Sequence, residues 1–336
     1  MNQSSKELVR GLFQLKDIPR VPFIPWVCSF AAQLEQVPVK AMLSEAGALS
    51  RGLINAQKLF GYDAIVNIFD PSLEAEACGC KVDWSEDGAL PRVVSHPLGD
   101  GAAIEDLDIS NIENQGRLPV VIEATKRLNI IKGKDLAIIA LITGPLTLAG
   151  HLRGGNLITE LNQDSEEAMK VVTLAGSIGL KLCRLYCELG VDVIVIAEEM
   201  VGQLHPGRVQ AALAPLRSIW NVAGFYNVHT LILSRGCTGD HTEPVLGLQA
   251  DGLALSGEIG DNQLRDASVK HNKCYSGSIT ESALCGSSSE TGEFTRGLLS
   301  RRGKGFFLST EWEVPFGTSV KNMHEVMGVI RGNQQT

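Results

Sequence analysis

The sequence predicts an α/β protein folded as an eight-stranded parallel barrel, a (β/α)8 barrel. Apolar, β-rich runs bounded by glycine or polar residues recur along the chain, and segments with helical spacing lie between them. Strand and helix alternating eight times is the pattern of a parallel barrel, and 336 residues are enough to build one. The predicted strands are residues 21–27, 64–69, 136–142, 191–197, 224–228, 252–255, 274–276 and 305–308. The helical segments include residues 44–61, 122–131, 166–189, 209–220, 262–271 and 291–301.

Residues 81–108 depart from this alternation. The stretches Trp84-Ser85-Glu86-Asp87-Gly88 and Val93-Val94 predict a hairpin or lid inserted after the second strand. An insertion there would lie on the face where a barrel enzyme carries its active site. No internal repeat, low-complexity tract or Gly/Ser linker divides the sequence, so we expect residues 1–336 to form a single barrel domain.

The third predicted strand runs into Thr143-Gly144-Pro145, and the helix after this turn carries His151. Polar residues at the carboxyl ends of parallel strands are where α/β enzymes place their chemistry. A tight connection between strand and helix, with no catalytic role, is the alternative interpretation of the same turn.

The carboxyl ends of all barrel strands meet at one opening, here called the mouth, and polar residues follow most of the predicted strands. They are Asp70 after strand two, His151 after three, Glu198 and Glu199 after four, His229 after five, Glu258 after six, Glu281 after seven and Glu311 after eight. Clustered acids raise one another's pKa and serve as proton donors, or they hold a cation. Asp70 could instead open a turn, and His151 could be a buried histidine bonded to backbone. His229 could be a metal ligand or an acid–base group.

Charge and composition exclude several classes of partner. A net charge of −8 and a pI near 5.5 argue against binding to nucleic acid or to an anionic membrane surface. No apolar run approaches the roughly 20 residues that a membrane span needs, and the first residues lack the apolar core of a signal peptide, so we expect a cytoplasmic protein. The eight cysteines lie mostly in apolar segments and are expected to be reduced thiols.

A set of short motifs spread over nearly the whole chain resembles the uroporphyrinogen decarboxylase superfamily. They are Asp17-Ile18-Pro19-Arg20-Val21-Pro22, Gly61-Tyr62-Asp63-Ala64, Phe69-Asp70, Thr143-Gly144-Pro145-Leu146-Thr147-Leu148, Gly190-Val191-Asp192, Gly277-Ser278-Ile279-Thr280, Gly305-Phe306-Phe307-Leu308-Ser309 and Val314-Pro315.

The superfamily includes the haem-pathway decarboxylase and methylcobamide:thiol methyltransferases. The resemblance implies a TIM barrel of the uroporphyrinogen decarboxylase type. It also implies that Asp70 matches the aspartate that holds the substrate's pyrrole nitrogens. His151 falls where decarboxylases carry tyrosine and several methyltransferase-like relatives carry histidine.

The sequence departs from both branches at positions that bind the substrate in the decarboxylases or zinc in the methyltransferases. Decarboxylases grip porphyrinogen carboxylates with an arginine-rich loop after strand one, but residues 26–33 contain no arginine, which disfavours that substrate. Methyltransferases of the superfamily bind zinc through a His-x-Cys pair after strand five and a cysteine after strand eight. His229 matches the histidine, whereas Leu231 and Trp312 stand at the two cysteine positions. A metal such as zinc in a non-standard site, held by His229 with Glu198, Glu258 or Glu311, remains a possible arrangement.

The resemblance and the charge together predict a methyltransferase component of a corrinoid-dependent system. A corrinoid-binding partner protein would carry the methyl-corrinoid, and a small neutral or cationic substrate, such as a methoxylated aromatic or methylamine-like compound, would bind in the mouth. His151 would manage a proton, Asp70 would orient the substrate, and Glu198, Glu258 and Glu311 would contact it. One alternative is decarboxylation of a tetrapyrrole or other carboxylate, favoured if Arg20, Arg92 or Arg153 turns into the pocket. A second alternative is a non-catalytic barrel that binds a ligand or a corrinoid protein.

Overall fold

The computed structural model describes residues 3–84, 88–99, 103–107, 109–260 and 262–332, and eight of the strands in them form one parallel sheet. The strands are β1 (Phe23–Trp26), β2 (Ala64–Val66), β3 (Val82–Asp83), β4 (Arg92–Val93), β5 (Ala137–Thr143), β6 (Val193–Glu198), β7 (His229–Thr238), β8 (Gly252–Glu258), β9 (Cys274–Ile279) and β10 (Phe306–Glu313). The sheet has the order β1-β10-β9-β8-β7-β6-β5-β2. The Asp63 N–H donates to the Phe23 carbonyl oxygen at 2.9 Å, so the two edges of the sheet nearly close. The predicted (β/α)8 barrel is confirmed.

Helices and short 3-10 turns surround this sheet. The helices are α1 (Ser5–Phe13), α2 (Ser29–Glu35), α3 (Val39–Leu43), α4 (Ala46–Phe60), α5 (Leu73–Ala77), α6 (Leu118–Lys132), α7 (Pro145–Arg153), α8 (Leu157–Asn162), α9 (Glu166–Glu188), α10 (Val209–Ala212), α11 (Leu216–Phe225), α12 (Thr242–Leu246), α13 (Gln263–Lys270), α14 (Glu281–Cys285), α15 (Ser288–Ser300) and α16 (Val320–Gly332). The 3-10 turns are Ile104–Asp106, Ile112–Asn114, Val201–Gln203, Pro206–Arg208 and Gly239–His241. Within the part of the chain that the structure describes, no helix is both long enough and apolar enough to cross a bilayer.

The strands are apolar because helices cover one face of the sheet and the barrel core covers the other. Every residue of β5 is buried, as is every residue of β6. Burial on both faces explains why the sequence shows continuous apolar runs here in place of alternation.

The predicted fifth strand, residues 224–228, is wrong. Helix α11 ends at Phe225, and β7 begins only at His229. Within α11 the buried residues Leu216, Ile219, Trp220 and Ala223 follow helical spacing, whereas Phe225 is 81% exposed. Asn227, in the left-handed region at φ 56°, turns the chain between the two elements. The fifth strand of the barrel is therefore β7, the later apolar run that contains Leu231, Ile232 and Leu233.

A hairpin is present in the predicted insertion. Strands β3 and β4 pair antiparallel, with Val82 opposite Val93, while Ser85, Glu86 and Asp87 lie outside the described residues. The Trp84 ring lies beneath the Arg117 guanidinium, whose central carbon is 4.8 Å from the ring centroid. Gly88 packs against the ring of Phe316, which follows β10. The hairpin thus contacts residues on two sides of the mouth, and its role as a lid stays a prediction.

The turn after β5 rests on two buried carboxylates. Glu74 accepts hydrogen bonds from the backbone N–H and the hydroxyl of Thr143. Glu198 accepts from the N–H groups of Leu146 and Thr147, at 3.0 and 2.9 Å, and from the Thr147 hydroxyl at 2.7 Å. Glu198 therefore caps the amino end of α7, the helix that carries His151.

Gly144→Ala is expected to destabilise the fold by about 1–3 kcal/mol. A Cβ at this position would lie 2.2–2.5 Å from side-chain atoms of Glu198, which three hydrogen bonds hold in place. Chemical denaturation measures the loss. Gly155→Ala is the matched control, because a Cβ there meets nothing within 4 Å, and it should change stability by less than about 0.5 kcal/mol. Equal effects of the two substitutions would contradict the close contact.

Candidate active site

The mouth of the barrel holds a buried ion pair built on Asp70. This residue follows β2 and is 1% exposed. One of its oxygens accepts from the backbone N–H and hydroxyl of Ser72, at 2.9 and 2.7 Å. The other oxygen lies 2.7 Å from Nη1 of Arg117, whose Nε also donates to Glu76 at 2.6 Å. Arg117 thus neutralises two carboxylates in a setting of low dielectric, and Asp70 is fixed before any substrate arrives.

His151 lies on α7 close enough to Asp70 for the carboxylate to act on its pKa. Burial lowers the pKa of His151 to about 4; Asp70 opposes this shift and His96 adds to it. The His96 ring is held by its Nδ1, which lies 2.8 Å from the His151 carbonyl oxygen. Nε2 of His151 is buried and has no hydrogen-bond partner among the described residues. The imidazole is therefore neutral at pH 7 and presents an unused nitrogen, unlike the fully bonded His241.

A second acid–base group, Glu313, lies at the end of β10 and was not among the residues predicted from sequence. Its carboxylate accepts a hydrogen bond from the backbone N–H of Ser29. Burial raises the pKa of Glu313 to about 8, the bond from Ser29 opposes this, and the charge of Asp70 raises it further. The buried thiol of Cys28 is influenced by Glu313, Asp70 and Arg117, so these groups share one environment. At pH 7 Glu313 is mostly protonated and can donate a proton.

The other predicted glutamates lie at strand ends, in different surroundings. Both oxygens of Glu198 are used in capping α7, and burial raises its pKa to about 7, so the structure gives it a positioning role. Glu258 is exposed at the end of β8. Glu311 lies within β10 and lines a cavity of about 330 Å³ beside Ser278. Contact of these three residues with a substrate stays a prediction.

The cavity beside Glu311 exists because β8 and β9 separate. They pair only at Gly252 with Cys274 and Leu253 with Tyr275, although both strands continue toward the mouth. The lining extends from Glu311 to Phe294 on the outer helix α15.

His229 was predicted to follow strand five at the mouth, and this is wrong. It is the first residue of β7 and lies at the amino end of the barrel. Its ring stacks on Phe13 with centroids 5.0 Å apart, and its Nδ1 is 3.7 Å from a carboxylate oxygen of Asp251. The structure therefore brings Asp70 and His151 together and leaves His229 at the opposite end, where it cannot share a metal with Glu198, Glu258 or Glu311.

The residues at the carboxyl end of β7 do not fit the zinc site that the family resemblance implies. The tripeptide there is Arg235-Gly236-Cys237, and its cysteine is buried. Trp312 holds the position of the later cysteine, and the Arg235 guanidinium lies over its ring, 4.7 Å from the centroid. Neither side chain can ligate zinc, and the guanidinium charge would repel it. Among the described residues, no group of three or more His, Cys, Asp or Glu side chains is placed to hold a metal ion.

Fold and site together define a parallel α/β-barrel protein with buried titratable groups around Asp70 at its mouth. The chain belongs to the uroporphyrinogen decarboxylase (URO-D) family, whose sequence profile matches residues 4–332. The resemblance read from the motifs is thereby confirmed.

Proteins similar to this chain include methyltransferases from Methanosarcina species. Methylcobamide:CoM methyltransferase MtbA of Methanosarcina acetivorans is 28% identical over 158 residues, 47% of this chain and 44% of that protein. Methylated-thiol–coenzyme M methyltransferase of Methanosarcina mazei is 32% identical over 142 residues, 41% of this chain and 37% of that protein. The chain thus aligns with less than half the length of these two relatives. Methylcobamide:CoM methyltransferase MtaA of Methanosarcina barkeri is 24% identical over 274 residues, covering 72% of this chain and 76% of that protein.

Solved structures show the same fold. A methyltransferase from Methanosarcina mazei superposes with a TM-score of 0.87 over 99% of both chains, at 18% identity. A B12-independent methionine synthase from Shewanella superposes with a TM-score of 0.57 over 86% of this chain and 88% of that chain, at 12% identity. At such identities the likeness describes the architecture alone.

Proposed function

We propose that this chain is the methyltransferase component of a corrinoid-dependent methyl transfer system. A corrinoid-binding partner protein would present a methyl-corrinoid at the mouth, and a small substrate would bind beneath it. Similarity to the methylcobamide methyltransferases supports the general kind of reaction. The observation that carries the proposal is the buried Nε2 of His151, which has no hydrogen-bond partner among the described residues, close to Asp70, whose charge acts on both His151 and Glu313.

These groups suit the proton movement that methyl transfer requires. The methyl-corrinoid would supply a cobalt centre that gives or takes the methyl group. When the nitrogen or oxygen of a substrate N–H or O–H group accepts a methyl group, it loses its proton. In the reverse direction, a nitrogen or oxygen that gives up its methyl group gains a proton. His151 would accept the proton in the first direction, and Glu313 would donate it in the second. Asp70, held by Arg117, would orient the substrate.

The charge of the mouth supports a substrate that is neutral or cationic overall. Carboxylates outnumber guanidinium groups at the carboxyl ends of the strands and just after them. The carboxylates are Asp70, Glu76, Glu199, Glu258 and Glu311, and the guanidinium groups are Arg117 and Arg235. Glu258 and Glu311 are the proposed contacts for a cationic group.

The alternative of tetrapyrrole decarboxylation would need Arg20, Arg92 or Arg153 to turn into the pocket. Arg20 pairs with Asp63, which precedes β2 at the amino end of the barrel. Arg153 donates to Glu160 at 2.7 Å, and Arg92 lies 3.8 Å from Asp83 in the hairpin with most of its side chain exposed. None of the three supports a site for a substrate with several carboxylates.

The proposed function is tested with free methylcobalamin in place of the partner protein. Purified protein is incubated with methylcobalamin and a panel of amines, phenols and thiols, and loss of the methyl–cobalt absorbance is followed. Demethylation with an amine or phenol acceptor and negligible turnover of uroporphyrinogen are expected. Uroporphyrinogen turnover at the level of a haem-pathway enzyme would overturn the proposal.

Glu313→Gln is expected to remove the alkaline limb of the pH profile. For methyl transfer from the substrate to cobalamin, the direction in which Glu313 donates, kcat/KM of the unaltered protein should fall as pH rises through about 8, because Glu313 then loses its proton. For transfer from methylcobalamin to the substrate, the direction in which His151 accepts, kcat/KM should fall as pH drops toward about 4, where His151 becomes charged. Glutamine does not titrate, so the variant should be slower by about a hundredfold and insensitive to pH near 8.

The control for this profile is Glu281→Gln, which changes an exposed carboxylate at the start of α14. It should leave both limbs in place. An alkaline limb near pH 8 that persists in Glu313→Gln would assign that pKa to another group.

A further inference from the structure

An arginine at the mouth is fixed on two sides and open on the others. The Arg235 guanidinium lies over the Trp312 ring, and Trp312 meets Phe69 edge-on with centroids 4.9 Å apart. One guanidinium nitrogen, Nη2, donates to Glu199 at 2.9 Å. We call these four residues the Arg235 stack. Its members follow β2 and β6 and lie within β7 and β10, so it joins opposite parts of the mouth.

A bulge in β7 sets the direction of Arg235. Strand register against β8 shifts between Ser234 and Cys237, which leaves Arg235 and Gly236 outside the regular ladder. Gly236 has φ 68°, a conformation that glycine adopts without strain. Gly202 packs so closely on the Gly236 carbonyl that a Cβ would lie 1.9 Å from its oxygen. Bulges beside active sites commonly redirect one side chain, and here the neighbouring backbone holds the bulge in place.

The guanidinium retains hydrogen-bonding capacity. It has five N–H donors, and Glu199 is its side-chain hydrogen-bond partner among the described residues. The side chain is 49% exposed. A planar guanidinium fixed by stacking presents its remaining N–H groups as a fork that matches a carboxylate.

We propose that Arg235 binds the carboxylate of a small zwitterionic substrate that also carries a methylated amine. This inference rests on the proposed function and narrows its substrate class. The amine would face the carboxylates of the mouth, and the carboxylate would meet Arg235. Such a molecule is neutral overall, which agrees with the neutral or cationic substrate proposed from the charge of the mouth. The guanidinium, held by Trp312 and Glu199, is the part of the mouth proposed to meet the negative end of the substrate.

Binding of N,N-dimethylglycine and of its amide, measured by isothermal titration calorimetry, tests the proposal. The two probes differ in the carboxylate, and the amide is the more cationic, so the acidic residues alone would favour the amide. We expect the unaltered protein to bind dimethylglycine at least about tenfold more tightly. Arg235→Met should remove this preference, and Arg235→Lys should keep part of it. Equal binding of the two probes, or an unchanged preference in Arg235→Met, would overturn the proposal.

Glu199→Gln provides a test that does not depend on the folding of Arg235→Met. Removing the internal partner of the guanidinium should tighten dimethylglycine binding by about threefold to tenfold and leave amide binding nearly unchanged. If the ion pair of Arg235 and Glu199 serves only to hold β6 and β7 together, Glu199→Gln should weaken dimethylglycine binding or leave it unchanged. Either result would overturn the proposal. Binding is measured without methylcobalamin. A carboxylate preference without methyl transfer would therefore reject the proposed function and leave this site standing.

Discussion

His151→Gln is expected to lower kcat/KM for methyl transfer by about a hundredfold to a thousandfold. Its Nε2 has no protein partner in the described residues, so the substitution breaks no hydrogen bond made by that nitrogen. Glutamine cannot accept a proton at neutral pH, and the loss should appear in the rate, with the melting temperature nearly unchanged. Exogenous imidazole should restore part of the activity if the cavity admits it.

His241→Gln is the matched control. His241 is also buried, but Nδ1 lies 2.8 Å from the Thr238 hydroxyl and Nε2 lies 2.9 Å from the Leu204 carbonyl oxygen. Its replacement should lower stability by about 1–3 kcal/mol and leave the rate per folded molecule unchanged. If His151→Gln instead loses stability and keeps its rate, His151 is a packing residue.

Arg117→Met is expected to destabilise the fold by about 3–5 kcal/mol. The substitution removes the cation from a buried cluster and leaves the fully buried Asp70 without its ion-pair partner. It also releases Glu76 and the stacking contact with Trp84. Denaturant unfolding measures the change.

Two comparisons distinguish the stability lost through the unpaired buried charge of Asp70 from the stability lost through packing. Arg153→Met breaks a half-exposed ion pair with Glu160 and should cost less than about 1 kcal/mol. Adding Asp70→Asn to Arg117→Met should recover part of the lost stability, because the orphaned carboxylate is then gone. A double variant no more stable than Arg117→Met would attribute the effect to packing.

The fold could be predicted from the sequence because the burial of strands and helices leaves regular patterns of apolar residues in it. Burial on both faces gives β5 and β6 continuous apolar runs, and the long helix predicted at residues 166–189 is observed as α9, Glu166–Glu188. The error at residues 224–228 has a local cause. Phe225 and Tyr226 are typical of strands by residue type, yet they end a helix whose buried positions lie three and four residues apart.

The site was harder to predict, since strand ends decide which residues reach the mouth. Placing strand five too early put His229 at the wrong end of the barrel and hid Arg235. Ending strand eight at residue 308 selected Glu311 and passed over Glu313, although β10 runs to Glu313. Asp70 and His151 were found because glycine or proline marks the turn near each of them.

Other parts of the site arise only from the folded chain. Arg117 precedes α6, distant in sequence from Asp70, and nothing near it marks it as the partner of a buried carboxylate. The stacking of Arg235 on Trp312 likewise joins two strands that are not neighbours in the sheet. The raised pKa of Glu313 likewise depends on its burial in the folded chain and on the charge of Asp70.

The divergence of β8 and β9 leaves a cavity in the wall of the barrel, lined by Glu311 and by the serines of β9. This cavity lies to the side of the barrel axis. If the proposed corrinoid-binding partner sits over the axis, a small molecule in the cavity would not compete with it for the same position. The order in which the two bind would then not be fixed by the architecture.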